Sequence, residues 1–153
     1  MDQEFFRRTY REINERACAY EKSLLARHCT CSRAKKVCIA EREGVQCLTD
    51  EAREQCLELL EGLCRRARFA LKSNCEKGVL PHAKAMQLQI GGLRGLRLAL
   101  DPQSSLPPNP IDDVHALINR AKETFNGLEN LPYQLLIQQV AAYEGRPRSG
   151  IRH

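Results

Sequence analysis

Phe6, Tyr10, Ile13, Ala17, Tyr20 and Leu24 recur at alternating spacings of four and three. A chain turning once every 3.6 residues returns to the same side at those intervals, so the stripe predicts an amphipathic helix over 2–27. A helix with one apolar side must bury it, against other helices of a bundle or against a partner chain. The same spacing returns further on. Residues 49–75 place Leu60, Cys64, Ala67, Leu71 and Cys75 along one face, with Thr49 or Asp50 as cap and Gly78 as stop. A third helix opens at Pro81 and carries Met86, Ile90, Leu93, Leu96 and Leu100. Ile111, Val114, Leu117, Ile118, Ala121 and Phe125 make a fourth, ended by Gly127. Pro132 opens a fifth through Leu135, Leu136 and Val140, with its stop at Gly145.

Between the first two long helices, Ser32 can cap a short helix through Val37, Cys38 and Ala40 that stops at Gly44. No stretch alternates with the period of two expected of a half-buried strand. The fold class expected is therefore all-α, a bundle of about five helices with a cysteine-rich helix–helix junction. The run DPQSSLPPNP divides it, because proline removes backbone donors and blocks helix. Residues 1–100 read as a cysteine-rich helical core and 101–110 as a Pro-rich linker. Residues 111–145 read as a helical pair packing on that core, and 146–153 as a flexible basic tail.

A domain of 153 residues buries about two-thirds of its unfolded surface, so it does not need cysteines as staples. No apolar run approaches the ~18 residues of a membrane span. Asp2, Glu4, Glu12 and Glu15 interrupt the N-terminal segment, which resembles neither a secretory signal nor a mitochondrial targeting segment. These features point to the cytoplasm, where clustered cysteines serve more often as metal ligands or reactive groups than as disulfides. The net charge of +5 is spread over both halves, and Arg outnumbers Lys by 17 to 7. RRARFALK gathers Arg65, Arg66, Arg68 and Lys72 near a helix C-terminus, where cations complement the dipole. With few aromatic residues and no Trp, single-strand stacking has little to use. A protein partner is the first expectation, and phosphate contact with nucleic acid the lesser one.

The eight cysteines divide by position. Cys18, Cys56 and Cys64 fall on or beside apolar helical faces, where a free thiol acts as a small hydrophobe. Cys75 stands near a helix end. Cys29, Cys31, Cys38 and Cys47 occupy the junction, where helix ends and loops can turn several side chains toward one point. Four thiolates are the usual complement of a tetrahedral zinc ion or an iron–sulfur cluster. The gaps of one, six and eight residues match neither the C-x2-C knuckle of zinc ribbons nor a ferredoxin spacing. Arg27, Arg33, Lys35 and Lys36 nearby are expected to favour thiolate, and His28 is an alternative ligand. Cys18, Cys64 or Cys75 could join if the first two helices pack as an antiparallel pair. That same pairing allows two disulfides instead, Cys18–Cys75 and Cys29–Cys64.

Other motifs resolve into local structure. QIGGLRGLRL lacks the Lys-Ser/Thr of a phosphate loop and a preceding strand, so Gly91 and Gly95, four apart, point to close helix packing. Asp112 and Asp113 suit a helix start, with His115 a turn on. Any of His82, His115 or His153 could meet a thiol in the fold, and nothing in the sequence selects one as half of a catalytic pair. The functional expectation is a metal-binding protein holding an iron–sulfur cluster, with zinc as the alternative metal, through Cys29, Cys31, Cys38 and Cys47. Its work would be electron transfer, cluster delivery, redox sensing or support of a metalloenzyme. The alternative is an interaction module without cofactor chemistry.

Overall fold

Six α-helices and one antiparallel two-stranded sheet make up the computed structural model, which describes residues 16–39, 41–72, 80–103 and 110–143. The elements are α1 (Glu21–Leu25), β1 (Ala34–Ile39), β2 (Arg42–Cys47), α2 (Asp50–Arg66), α3 (Arg68–Leu71), α4 (His82–Leu100), α5 (Val114–Phe125) and α6 (Tyr133–Ala142). A single 3-10 turn, Leu128–Asn130, joins the last two helices. The fold is mixed, so the all-α expectation is corrected.

The correction lies in the segment read as a short capped helix. Ala, Lys, Glu and Arg there favour helix locally, but Ala34 pairs with Cys47, Lys36 with Val45 and Ile39 with Arg42. Cross-strand pairing outweighs an intrinsic preference worth a few tenths of a kcal/mol per residue. Glu41 closes the hairpin at φ 69, a conformation that Gly or Asn would have advertised in the sequence. Gly44, taken as a helix stop, is buried in β2 opposite Val37.

The long first helix is corrected as well. Residues 1–15 lie outside the described part, so Phe6, Tyr10 and Ile13 cannot be placed on any face. Residues 16–18 run beside β2, with Cys18 N–H donating to the Val45 carbonyl (2.8 Å) and Cys47 N–H to that of Arg16 (2.7 Å). Among the described residues, helix starts at Glu21 and ends after Leu25, Arg27 taking φ 66. Among the described residues the first segment supplies only this short helix, so the antiparallel pairing of two long helices that both proposed disulfides required is not formed over 16–27.

The remaining helices follow their sequence signals closely. Thr49 caps α2 by accepting from Ala52 N–H (3.2 Å), and Asp113 caps α5 from Ala116 N–H (3.4 Å). α2 gives way at Ala67 to the single turn α3, and Lys72 ends it in the left-handed region. Pro81 and Pro132 precede α4 and α6. Cys75, Gly78, residues 104–109 of the linker, Gly145 and the tail fall outside the described residues.

The core gathers Leu59 and Leu63 of α2, Leu93 and Leu96 of α4, Ile118 of α5 and Leu136 of α6, all at most 1 % exposed. Each such burial contributes about 1.5–3 kcal/mol before chain entropy is charged against it. α4 and α6 make the most extensive helix contact. A Cβ on Gly91 would stand 2.6 Å from Val140 Cα, and one on Gly95 2.7 Å from Leu136 Cα. The two glycines therefore serve close helix packing, as their spacing suggested. No helix of the described residues is long and apolar enough to cross a membrane.

Candidate metal centre

Four separate segments bring sulfur to one place. The chain at 28–32 is extended and lies beside residues 111–114, with Thr30 N–H donating to the Ile111 carbonyl (2.9 Å) and Ile111 N–H to that of His28 (3.1 Å). Thr30 Oγ1 also donates to the Asp112 carbonyl, and Ser32 N–H to Asp113 Oδ1 (2.9 Å). Alternate residues of an extended chain share a side, so Cys29 and Cys31 both turn inward. β2 contributes Cys47, since Val45 and Cys47 form its buried face. The 16–20 segment, zipped to β2, contributes Cys18. Cys56 arrives from the second turn of α2, which Arg53 ties down by donating to the Ala17 carbonyl (2.9 Å).

Cys18, Cys31, Cys47 and Cys56 line a single cavity of about 10 Å³ together with Tyr20 and His115. Cys29, 1 % exposed, is near enough to influence the ionisation of its neighbours without lining the space. Two of the four expected ligands, Cys31 and Cys47, thus meet, with Cys29 in support. Cys38 does not meet them. Its register partner is Glu43, four residues along β2 from Cys47, which is roughly 13 Å at ~3.3 Å per residue. Its side chain is exposed.

His28 faces a different cleft, beside His82 and Met86. Cys18 and Cys56, assigned by sequence to apolar faces, line the cavity instead. Nothing local could have marked them, because their selection depends on which segments the fold makes neighbours. Cys18, Cys29, Cys31, Cys38, Cys47 and Cys56 are free thiols, so the pairings Cys18–Cys75 and Cys29–Cys64 do not occur. Cys64 is disulfide-bonded.

Hydrogen bonds to sulfur distinguish this cavity from ordinary core. Tyr20 N–H donates to Cys18 Sγ (3.4 Å), and Arg33 N–H to Cys31 Sγ (3.4 Å), in both cases from two residues on. The His115 backbone N–H also stabilises the Cys31 thiolate. Charge-assisted bonds of this kind strengthen when sulfur becomes anionic. Two buried side-chain polar atoms lack partners among the described residues, Tyr20 Oη and His115 Nδ1, and both residues line this cavity. A buried polar group without a partner costs about 1–3 kcal/mol, and an anionic sulfur is an acceptor that either residue could use.

The electrostatics correct one expectation. Burial pushes the Cys18 thiol up to about 11 and Cys29 up to about 12, and raises Cys31 and Cys56 as well. Neighbouring thiols push the same way, and Arg53 only slightly offsets the rise at Cys18. Lys35 and Lys36 are exposed on β1, where solvent screens them. Without metal, Cys18, Cys29, Cys31 and Cys56 are therefore protonated at neutral pH and become ligands only by releasing protons to an incoming metal. As they stand, no three His, Cys, Asp or Glu side chains of the described residues are arranged to hold one metal ion.

Comparison with protein-family models, with curated proteins and with solved structures finds no match to this chain.

Proposed function

We propose that this chain binds a sulfur-ligated metal centre, an iron–sulfur cluster, through Cys18, Cys31, Cys47 and Cys56, with Cys29 as a fifth sulfur in reach. The observation that carries the reading is the convergence of four thiols from four segments on one buried cavity, two of them accepting backbone N–H bonds. An all-sulfur donor set selects thiophilic metals, zinc or iron–sulfur clusters, over calcium or magnesium. A bound cluster supplies one-electron chemistry, and the work proposed is electron transfer, cluster delivery or redox sensing.

Zinc is the second reading, and the size of the cavity favours it. A space of about 10 Å³ suits one ion, whereas a cube of iron and sulfide requires the thiols to swing outward. Four thiolates on one zinc ion stand about 3.8 Å apart, given a Zn–S bond of ~2.3 Å. In that case the metal is structural and the chain acts as a binding module. Phe69, 92 % exposed beside Arg65 and Arg68, is then the residue that a protein partner would meet.

Anaerobic purification with visible spectroscopy and assays of iron, acid-labile sulfide and zinc tests both readings. Iron and sulfide together, lost in Cys31→Ser and Cys56→Ser but kept in Cys38→Ser, support the cluster. Zinc without sulfide, lost in the same variants, supports the second reading. A chain that holds neither metal after expression with both supplied overturns the proposal.

A further inference from the structure

A relay of side-chain amides runs from solvent to the sulfur cavity and ends on an imidazole. Lys122 Nζ donates to Gln55 Oε1 (3.5 Å), and Gln55 Nε2 donates to Asn119 Oδ1 (2.8 Å). Asn119 Nδ2 then meets His115 Nε2 at 3.0 Å. An amide chain of this kind can in principle be reversed end to end. The lysine breaks that symmetry, because an ammonium group only donates and can face only the oxygen of Gln55. Each amide downstream is oriented in turn, and Asn119 presents an N–H to the ring. His115 Nε2 must therefore accept. In a neutral imidazole the one proton then sits on Nδ1.

That nitrogen is the buried atom without a partner on a ring that lines the cavity of Cys18, Cys31, Cys47 and Cys56. The His115 backbone already serves Cys31. We propose that His115 is a positioning residue that donates from Nδ1–H to a sulfur of the bound metal centre, its tautomer held by the relay from Lys122 through Gln55 and Asn119. The inference rests on the metal reading of the cavity and deepens it. It also excludes His115 as a direct ligand through Nδ1, since a coordinating nitrogen carries no proton and would force Asn119 to turn over. Hydrogen bonds to ligating sulfur offset its negative charge. In a cluster they raise the reduction potential, and around either metal they hold the thiolate in place.

Imidazole ¹⁵N–¹H correlation spectra of the metal-free protein test the relay directly, with the His115 signal assigned by its loss in His115→Gln. The wild-type chain is expected to show the Nδ1–H tautomer. Asn119→Asp offers only acceptors to the ring and should switch it to Nε2–H, and Lys122→Met should give a mixture. After metal loading, Asn119→Asp and His115→Gln should hold metal on the order of 10- to 100-fold less tightly against a chelator. In cluster-loaded protein the potential should also fall. An Nε2–H wild-type ring in a chain that does load metal overturns this inference alone. Variants that switch tautomer yet match the wild type in retention overturn it too. A chain that takes up neither iron nor zinc removes the acceptor and defeats the inference together with the metal reading, while the tautomer spectrum still reports on the relay.

Discussion

The α4–α6 contact and the sulfur cavity are both buried, but they are completed in different ways. At the helix contact the side chains finish their own structure. Gly91 and Gly95 let two backbones touch, Leu136 and Val140 are fully buried, and Gln87 Nε2 donates to the Val140 carbonyl at 2.9 Å. At the cavity, close packing coexists with thiols displaced upward and with both unpartnered buried polar side-chain atoms of the described residues. An apolar core gains nothing from such groups. The difference teaches where to look for function: the first region satisfies its own groups, and the second keeps buried polar atoms that its own packing leaves without partners and that the proposed metal centre would use.

The comparison can be broken most severely at sulfur. Metal present at 1,000 times its dissociation constant stabilises the fold by about 4 kcal/mol. Cys31→Ser should abolish that gain, read as the difference in melting temperature between loaded and chelated protein, while chelated wild type and variant melt alike. A next effect comes from alkali on the metal-free chain. Because burial holds the Cys18 thiol at about 11, above its unfolded value, the folded state binds the proton more tightly. Stability from this source is fully present below the unfolded thiol pKa and is lost as pH climbs toward 11. Cys18 alone accounts for roughly 3 kcal/mol at ~1.4 kcal/mol per unit, so urea midpoints of metal-free protein should fall between about pH 8.5 and 11.

Gly91→Ala sharpens the contrast from the other side. Its methyl group meets backbone rather than a yielding side chain, so the fold should lose about 1–3 kcal/mol despite alanine's better helix propensity. Metal content per folded molecule should not change. The smallest effect belongs to Cys38→Ser. An exposed thiol far along the hairpin should leave stability within about 0.5 kcal/mol and metal loading intact. In the metal-free wild type, Cys38 should be the first thiol alkylated. Faster labelling of Cys56 than of Cys38 would show the cavity to be open.

Much of the helical half was legible because its signals are local. The stripes of α4, α5 and α6, the Thr49 and Asp113 caps, the prolines before α4 and α6, and the glycine pair each act within a few residues or turns of themselves. At the cysteine-rich junction the sequence determined that thiols are numerous, and two of its four candidates, Cys31 and Cys47, line the cavity. It did not separate the hairpin from a helix, since Lys, Ala, Glu and Arg suit helix until partner strands supply pairing.

Only the tertiary structure decided that Cys18 and Cys56, and not Cys38, line the cavity, that His115 is the histidine beside them, and that burial rather than nearby lysines governs the thiols. The physical reason is common to all three. Helical periodicity and capping are energies of near neighbours along the chain, whereas convergence, desolvation and a relay from Lys122 to His115 are energies of near neighbours in space.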